Sequence, residues 1–209
     1  MNQDRHSRIT EFAHKLHSAS NNQVVQGTLA TSERVLKRVT DGIYRQPSSA
    51  LRELISNAYD ADATLVEILT DPPRFNQIIV RDNGNGLSAE ALSYMVHSIG
   101  GSSKRTTNGA DMGVCNKKNR FCSPGGRKLI GKIGIGLFSV SQLTKEFQII
   151  TKQSGENYRT IADVVLHTYS EDTTDDPDQE FVTGTVKIWK VPAKDIKSHG
   201  TEVILRNLL

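Results

Sequence analysis

Residues 50–61 read ALRELISNAYDA, and the rest of the chain can be organised around this stretch. Leu51, Leu54, Ile55 and Ala58 recur at helical spacing and form an apolar stripe. Glu53, Asn57 and Asp60 stand at i, i+4 and i+7, so three polar groups share another face of the same predicted helix. Pro47-Ser48-Ser49 opens the helix. Immediately downstream come two β-rich runs, TLVEILT (64–70) and QIIVRD (77–82). They are joined by DPPRFN, whose prolines suit a turn and would interrupt either strand, so a hairpin is expected.

Beyond Asp82 the chain turns through NGNGL, and Ser88 is placed to cap a helix carrying Ala91, Leu92, Met95 and Val96. From Gly100 to Lys128 periodicity gives way to Gly, Ser, Asn, Lys and Arg, a long loop of the kind that forms a lid or is disordered. It ends in LIGKIGIGLFSVSQL (129–143), where glycines lead into a helix-like apolar run. EFQIITKQ, YRTIADVVL, FVTGTVKIW and TEVILR then read as four strands, with the acidic loop EDTTDDPDQE (171–180) between two of them. Upstream, Ile9, Phe12, Ala13 and Leu16 mark a short amphipathic helix, and a second helix is expected from Ser32 toward Gly42. Helices layered on one face of a mixed sheet follow from this order: an α+β, two-layer α/β sandwich.

Composition agrees with one globular domain. Of 209 residues 36% are hydrophobic, and the 16 glycines bring the apolar share to an ordinary level, which excludes a wholly disordered chain. No run approaches the roughly 18 apolar residues of a membrane span, and the N-terminus lacks a signal-peptide core, so the expected setting is cytoplasmic, without a membrane partner. The 26 Lys+Arg against 23 Asp+Glu are too nearly balanced to name a nucleic-acid partner. Cys115 and Cys122 lack companions at zinc-finger spacing and read as free thiols.

Three motifs in fixed order carry the chemistry: Glu53-x-x-x-Asn57 on a helix, Asp82-x-Gly84-x-Gly86 after a strand, and Gly131-x-x-Gly134-x-Gly136 opening a helix. The glycine motif does not follow a strand with an acidic residue on the next one, so it is not a dinucleotide-binding fingerprint, and GxxxxGK[ST] is absent from the sequence. Together the motifs resemble the GHKL ATPases, the superfamily of gyrase-type topoisomerases, large heat-shock chaperones, histidine kinases and MutL. The similarity runs from about Leu29 onward. LRELISNAYDA and GTEVIL (200–205) are most similar to the heat-shock chaperone branch, and SIGGSSK (98–104) is also similar to the lid-proximal segment of MutL. The resemblance implies a Bergerat-type ATP-binding fold over residues 29–209 with a lid at about 100–130, preceded by a helical arm over 1–28.

On this resemblance Asp82 reads the adenine amine, as a carboxylate at a strand end can. Gly84 and Gly86 let backbone approach the base, and Thr201 supports its recognition. By itself Asp82 could instead start an Asx turn in DNGNG. Asn57 is the implied Mg²⁺ ligand, sufficient as a single protein oxygen because Mg²⁺ keeps waters and bridges phosphates. Glu53 orients or deprotonates the attacking water; read in isolation it would pair with Arg52 or a nearby Lys. Asp60 supports the site from behind, and Asp62 caps or terminates the helix. Gly131, Lys132, Ile133, Gly134, Ile135 and Gly136 supply backbone N–H groups and charge to the triphosphate. Ser102, Ser103 and Lys104 meet the phosphates from the far end of the lid. Lys117, Lys118, Arg120, Arg127 and Lys128 make that loop basic, and most of them read as solvated.

The implied activity is slow, Mg²⁺-dependent ATP hydrolysis to ADP and phosphate, with lid closure as the switch. The chain stops at RNLL, so a further domain or a protein partner is expected to complete catalysis, with an ATP-dependent dimer among the implied assemblies. The alternatives are a non-hydrolysing nucleotide sensor and the ATPase domain of a MutL- or topoisomerase-like DNA-processing protein. A histidine kinase would need a phosphoacceptor helix pair, and the segment bearing His14 and His17 is too short for one.

Overall fold

In a computed structural model the described residues are 2–32, 47–97, 107–131, 139–167 and 180–209. The elements in chain order are α1 (Asn2–Ser18), β1 (Val25–Ser32), α2 (Pro47–Asp60), β2 (Val66–Thr70), β3 (Gln77–Asp82), α3 (Ala89–His97) and the short α4 (Thr107–Asp111). A 3₁₀ turn (Val140–Gln142) follows, then β4 (Glu146–Lys152), β5 (Tyr158–Leu166), β6 (Glu180–Pro192) and β7 (Gly200–Arg206). The strands form one seven-stranded sheet in the order β1-β6-β5-β4-β7-β3-β2.

Alternation decides which face is covered. Phe147, Ile149 and Thr151 of β4, Thr160, Ala162, Val164 and Leu166 of β5, Val186 and Ile188 of β6, and Val203 and Leu205 of β7 are buried at every second position. Their apolar members share a single core with Phe12 and Leu16 of α1, Leu54 of α2, and Leu92 and Val96 of α3. All three longer helices thus lie on one face, as expected. Each fully buried Leu or Ile in such a core contributes about 1.5–3 kcal/mol. The opposite face carries ion pairs such as Arg81–Glu202 at 2.5 Å.

The two-layer α+β architecture matches the sequence, with one correction. Among the described residues every neighbouring pair of strands is antiparallel, so the described sheet is not mixed. A parallel pair requires a long crossover connection, usually a helix, whereas the described neighbours are adjacent antiparallel strands. The expected helix beginning at Ser32 is also revised at its start. Ser32 ends β1, which is held by pairing from Val25↔Ile188 to Ser32↔Glu180; residues 33–42 lie outside the described residues. Position 28, the expected end of the arm, falls within β1, and α1 packs into the common core.

Two local expectations hold closely. The β2–β3 hairpin forms in the register Val66↔Asp82. Ser88 caps α3, its Oγ accepting the Ala91 N–H at 3.0 Å. The apolar stripe of α2 is rotated from the expected one: Ala50, Leu54 and Ala58, at i, i+4 and i+8, are buried, while Ile55 is 41% exposed. Ile55 sits too far around the helix to share the sheet-facing line with Leu54 and Ala58. Among the described residues no helix is long and apolar enough to cross a membrane. Cys115 and Cys122 form no disulfide.

Candidate functional site

The site is built around the end of β3. Asp82 lies opposite Thr201 of β7, and Thr201 lies opposite Thr151 of β4, so the three form a polar row across adjacent strands. All three sit on the helix-covered side, in line with Val80, Val203 and Ile149. The half-buried Asp82 carboxylate accepts the Gly84 N–H at 2.8 Å, which is the Asx turn that DNGNG allows, and the Thr201 backbone N–H lies nearby. Burial pushes its pKa above the ordinary aspartate value, and the two backbone N–H groups and nearby His199 pull against that shift. His199 is itself fixed by donating Nδ1–H to the Gly84 carbonyl at 2.7 Å.

The turn after Asp82 docks on the end of α2. Asn85 N–H donates to the Ala61 carbonyl at 2.7 Å. A Cβ on Gly84 would lie 2.7 Å from that same oxygen. Gly86 has φ +68°, and a Cβ there would overlap the Lys152 carbonyl. On the side where a Cβ would point, both glycines therefore make room for the protein's own backbone. Glu53 and Asn57 are half-buried on the α2 face leading to this docked end, and both are engaged with neighbours.

Asp60 and Asp62 form a clasp that the sequence shows only in outline. The buried Asp60 accepts the N–H groups of Ile130 (2.9 Å) and Gly131 (3.0 Å), so the helix end holds the first glycine of the glycine motif directly. Asp62, at φ +63°, accepts Gly125 N–H at 2.7 Å, Asn85 Nδ2 at 2.9 Å and the Ser123 hydroxyl. It is more than a helix terminator, because it ties the 82–87 turn and the 107–131 segment to α2. Arg127 adds a bond to the Ala63 carbonyl at 2.6 Å and lies 5.3 Å over the Tyr59 ring, so it is not a solvated lid charge. Lys117 and Lys118 are exposed as expected. Ser102, Ser103 and Lys104, like Lys132, Ile133, Gly134, Ile135 and Gly136, lie outside the described residues.

Asp62→Ala strips three donors of their acceptor. We expect a stability loss of about 2–3 kcal/mol in denaturant unfolding, with accelerated amide exchange at Gly125. Undiminished protection there would contradict the clasp.

On the opposite side of α2, an open cleft of about 450 Å³ is lined by Leu51, Arg52, Ile55, Tyr59, Ile68 and Ile130. It is apolar and includes none of Glu53, Asn57 or Asp82. Two site features escaped sequence reading. Thr151 looks like any strand threonine until its register against GTEVIL is known, and two of the three donors to Asp62 lie some 60 residues downstream.

A half-buried carboxylate at a strand end, a helix carrying Glu53 and Asn57, and Gly131 held by the end of that helix are the features the structure brings to this side of the sheet. The profile of the family described as histidine kinase-, DNA gyrase B-, and HSP90-like ATPase matches residues 44–200. This chain belongs to that ATPase family. The chaperone protein HtpG of Chlorobium phaeobacteroides is 29% identical over 143 residues, covering 60% of this chain and 22% of that protein. The DNA mismatch repair protein MutL of Phenylobacterium zucineum is 41% identical over 63 residues, covering 30% of this chain and 10% of that protein. MutL of Listeria innocua is 31% identical over 77 residues, covering 36% and 12%. The chain thus matches about a fifth or less of the length of these relatives. Its all-antiparallel sheet with helices on one face is consistent with the ATP-binding fold of the family.

Proposed function

We propose that this chain binds ATP with Mg²⁺ and hydrolyses it slowly, closure of a lid over about residues 100–130 acting as a conformational switch in a chaperone-like protein. The observation that carries the reading is the Asp82 carboxylate, half-buried, held by the Gly84 N–H and opposite Thr201, beside the docked end of α2. A carboxylate oriented by such a turn can still accept from an exocyclic amine, and the adenine N6 supplies one. Residues 29–209 form the nucleotide-binding domain in this reading, with 1–28 as the arm that packs on it.

The donor set suits a hard cation carried by the nucleotide. Among the described residues no three His, Cys, Asp or Glu side chains are grouped to hold a metal ion. In this reading Mg²⁺ would take the Asn57 amide oxygen, with phosphate oxygens and water completing its shell. Bound there, it would neutralise charge on the phosphates. Glu53, one helical turn before Asn57, would hold and accept a proton from the attacking water. Asp60 would set the path of the chain into Gly131, from which residues 131–136 approach the phosphates, with residues 102–104 meeting them on closure.

Calorimetric titration tests this. ATP is expected to bind, more tightly with Mg²⁺ than without, and the absence of heat in both conditions would overturn the reading. The 41% identity to MutL over 63 residues favours a second reading, the ATPase domain of a DNA-processing protein. DNA affinity that falls steeply with salt would distinguish it.

A further inference from the structure

We propose that Thr151 is a positioning residue that sets the hydrogen-bond polarity of Thr201 and so makes the site select adenine over a 6-oxopurine; the inference rests on the nucleotide-binding reading above. Thr151 is 1% exposed, and its Oγ1 meets three groups. It accepts the Leu87 N–H at 2.8 Å, lies 3.0 Å from Thr201 Oγ1 and lies 3.3 Å from the Gly200 carbonyl.

A hydroxyl has one proton and two lone pairs. The Leu87 N–H occupies one lone pair of Thr151, so the remaining question is where its single proton goes. If the proton goes to Gly200, Thr201 must donate to Thr151 and offers only lone pairs to a base. If it goes to Thr201, the Thr201 proton is released to donate toward the base. The Thr201 contact is the shorter of the two, and the Gly200 contact is long for an O–H donor. The geometry therefore favours Thr201 as the donor beside Asp82 as the acceptor.

That pair of polarities complements adenine, which presents an amine donor at N6 and an acceptor at N1. Hypoxanthine reverses both, with an oxygen at C6 and an N–H at N1. A bridging water between Thr201 and the base transmits the same polarity, since it accepts from one side and donates to the other. Thr151 does this without touching the nucleotide, and its own orientation is fixed by the backbone of the turn that follows Asp82.

The test compares ATP and ITP affinities by calorimetry in the wild type, Thr151→Val and Thr151→Ser. The wild type is expected to prefer ATP. Thr151→Val frees the Thr201 hydroxyl to donate or accept, so the ATP:ITP ratio should fall about fivefold, mainly through tighter ITP binding. Thr151→Ser keeps the oxygen and should restore the wild-type ratio. Thermal melting follows separately the loss caused by leaving the Leu87 N–H without an acceptor. Should Thr151→Val not fold, Thr151→Cys, with its weak S–H donor, takes its place. An unchanged ratio in a folded variant, or equal wild-type affinity for ATP and ITP, overturns the role of Thr151 and leaves nucleotide binding intact. Failure of the wild type to bind either nucleotide overturns both readings.

Discussion

Asp82→Asn is expected to weaken ATP binding by about 100-fold while leaving the fold as stable as before or more so. The Gly84 N–H already takes an acceptor at this position, and the nearby Thr201 N–H also favours a charged oxygen there. An amide has one oxygen where the carboxylate has two, and that oxygen must serve those donors, because a buried N–H left without an acceptor is costly. The Asn Nδ2 then turns to the place where the adenine amine would sit, and a donor faces a donor. The lost charge-assisted bond and the new mismatch together amount to about 3 kcal/mol. Stability moves the other way. The Asp82 pKa is raised in the folded state, burial being the larger cause, so the folded protein holds this proton more tightly than the unfolded chain. Stability therefore falls as pH rises from the ordinary value of 3.8 through the raised folded value, and the full penalty is present above it. Asparagine has no such penalty. The melting temperature of Asp82→Asn relative to wild type should be most favourable at neutral pH, and the advantage should shrink as pH falls through that window. Wild-type ATP affinity in a folded Asp82→Asn protein would remove Asp82 from base recognition.

This opposition between binding and stability bears on what could be read from the chain alone. Segments whose signal is local were legible: β3 and β5 begin and end where alternation and turn residues place them, and Ser88 caps α3 as its position suggests. The helix bearing Glu53 and Asn57 and the strand end at Asp82 were legible too, whereas of the glycine motif only Gly131 falls among the described residues. What was not legible depends on partners distant in sequence. VQGTLATS (25–32) has little strand character of its own and becomes β1 by pairing with β6, more than 140 residues away. Asp62 resembles a helix cap until Ser123 and Gly125 arrive at its carboxylate. The face of α2 was offset because Ile55 satisfies helical periodicity equally well on paper. Only the position of β2 and Ile130 shows that it lines an open cleft instead of the core. Asp82 and Thr201 were each identifiable by motif; that they and Thr151 form one row is a property of register, which depends on the hairpin and on β4 reaching β7.

Glu53→Ala is expected to abolish turnover and preserve binding, and this separation carries the enzymatic half of the proposal. Glu53 is half-buried on α2, one turn before Asn57 and two before Asp60, whose carboxylate holds Ile130 and Gly131. A carboxylate there stands on the helix face that carries Asn57 and Asp60, on a different element from Asp82 at the end of β3. Removing it should leave ATP affinity within about threefold of wild type, since general-base catalysis acts on the transition state and adds little to ground-state binding. The rate of phosphate release in a single-turnover assay should fall about 100-fold or more, the usual contribution of a positioned base. Glu53→Gln, which keeps the side-chain volume and hydrogen-bonding reach, should lose the rate to a similar extent. That comparison distinguishes a proton acceptor from a packing group, since a packing role would be rescued by the amide. If wild type, Ala and Gln variants share one trace rate while all bind ATP, Glu53 is not the base. The site is then better described as a nucleotide sensor, because the Asp82 row would still be there to bind ATP without a group to activate water.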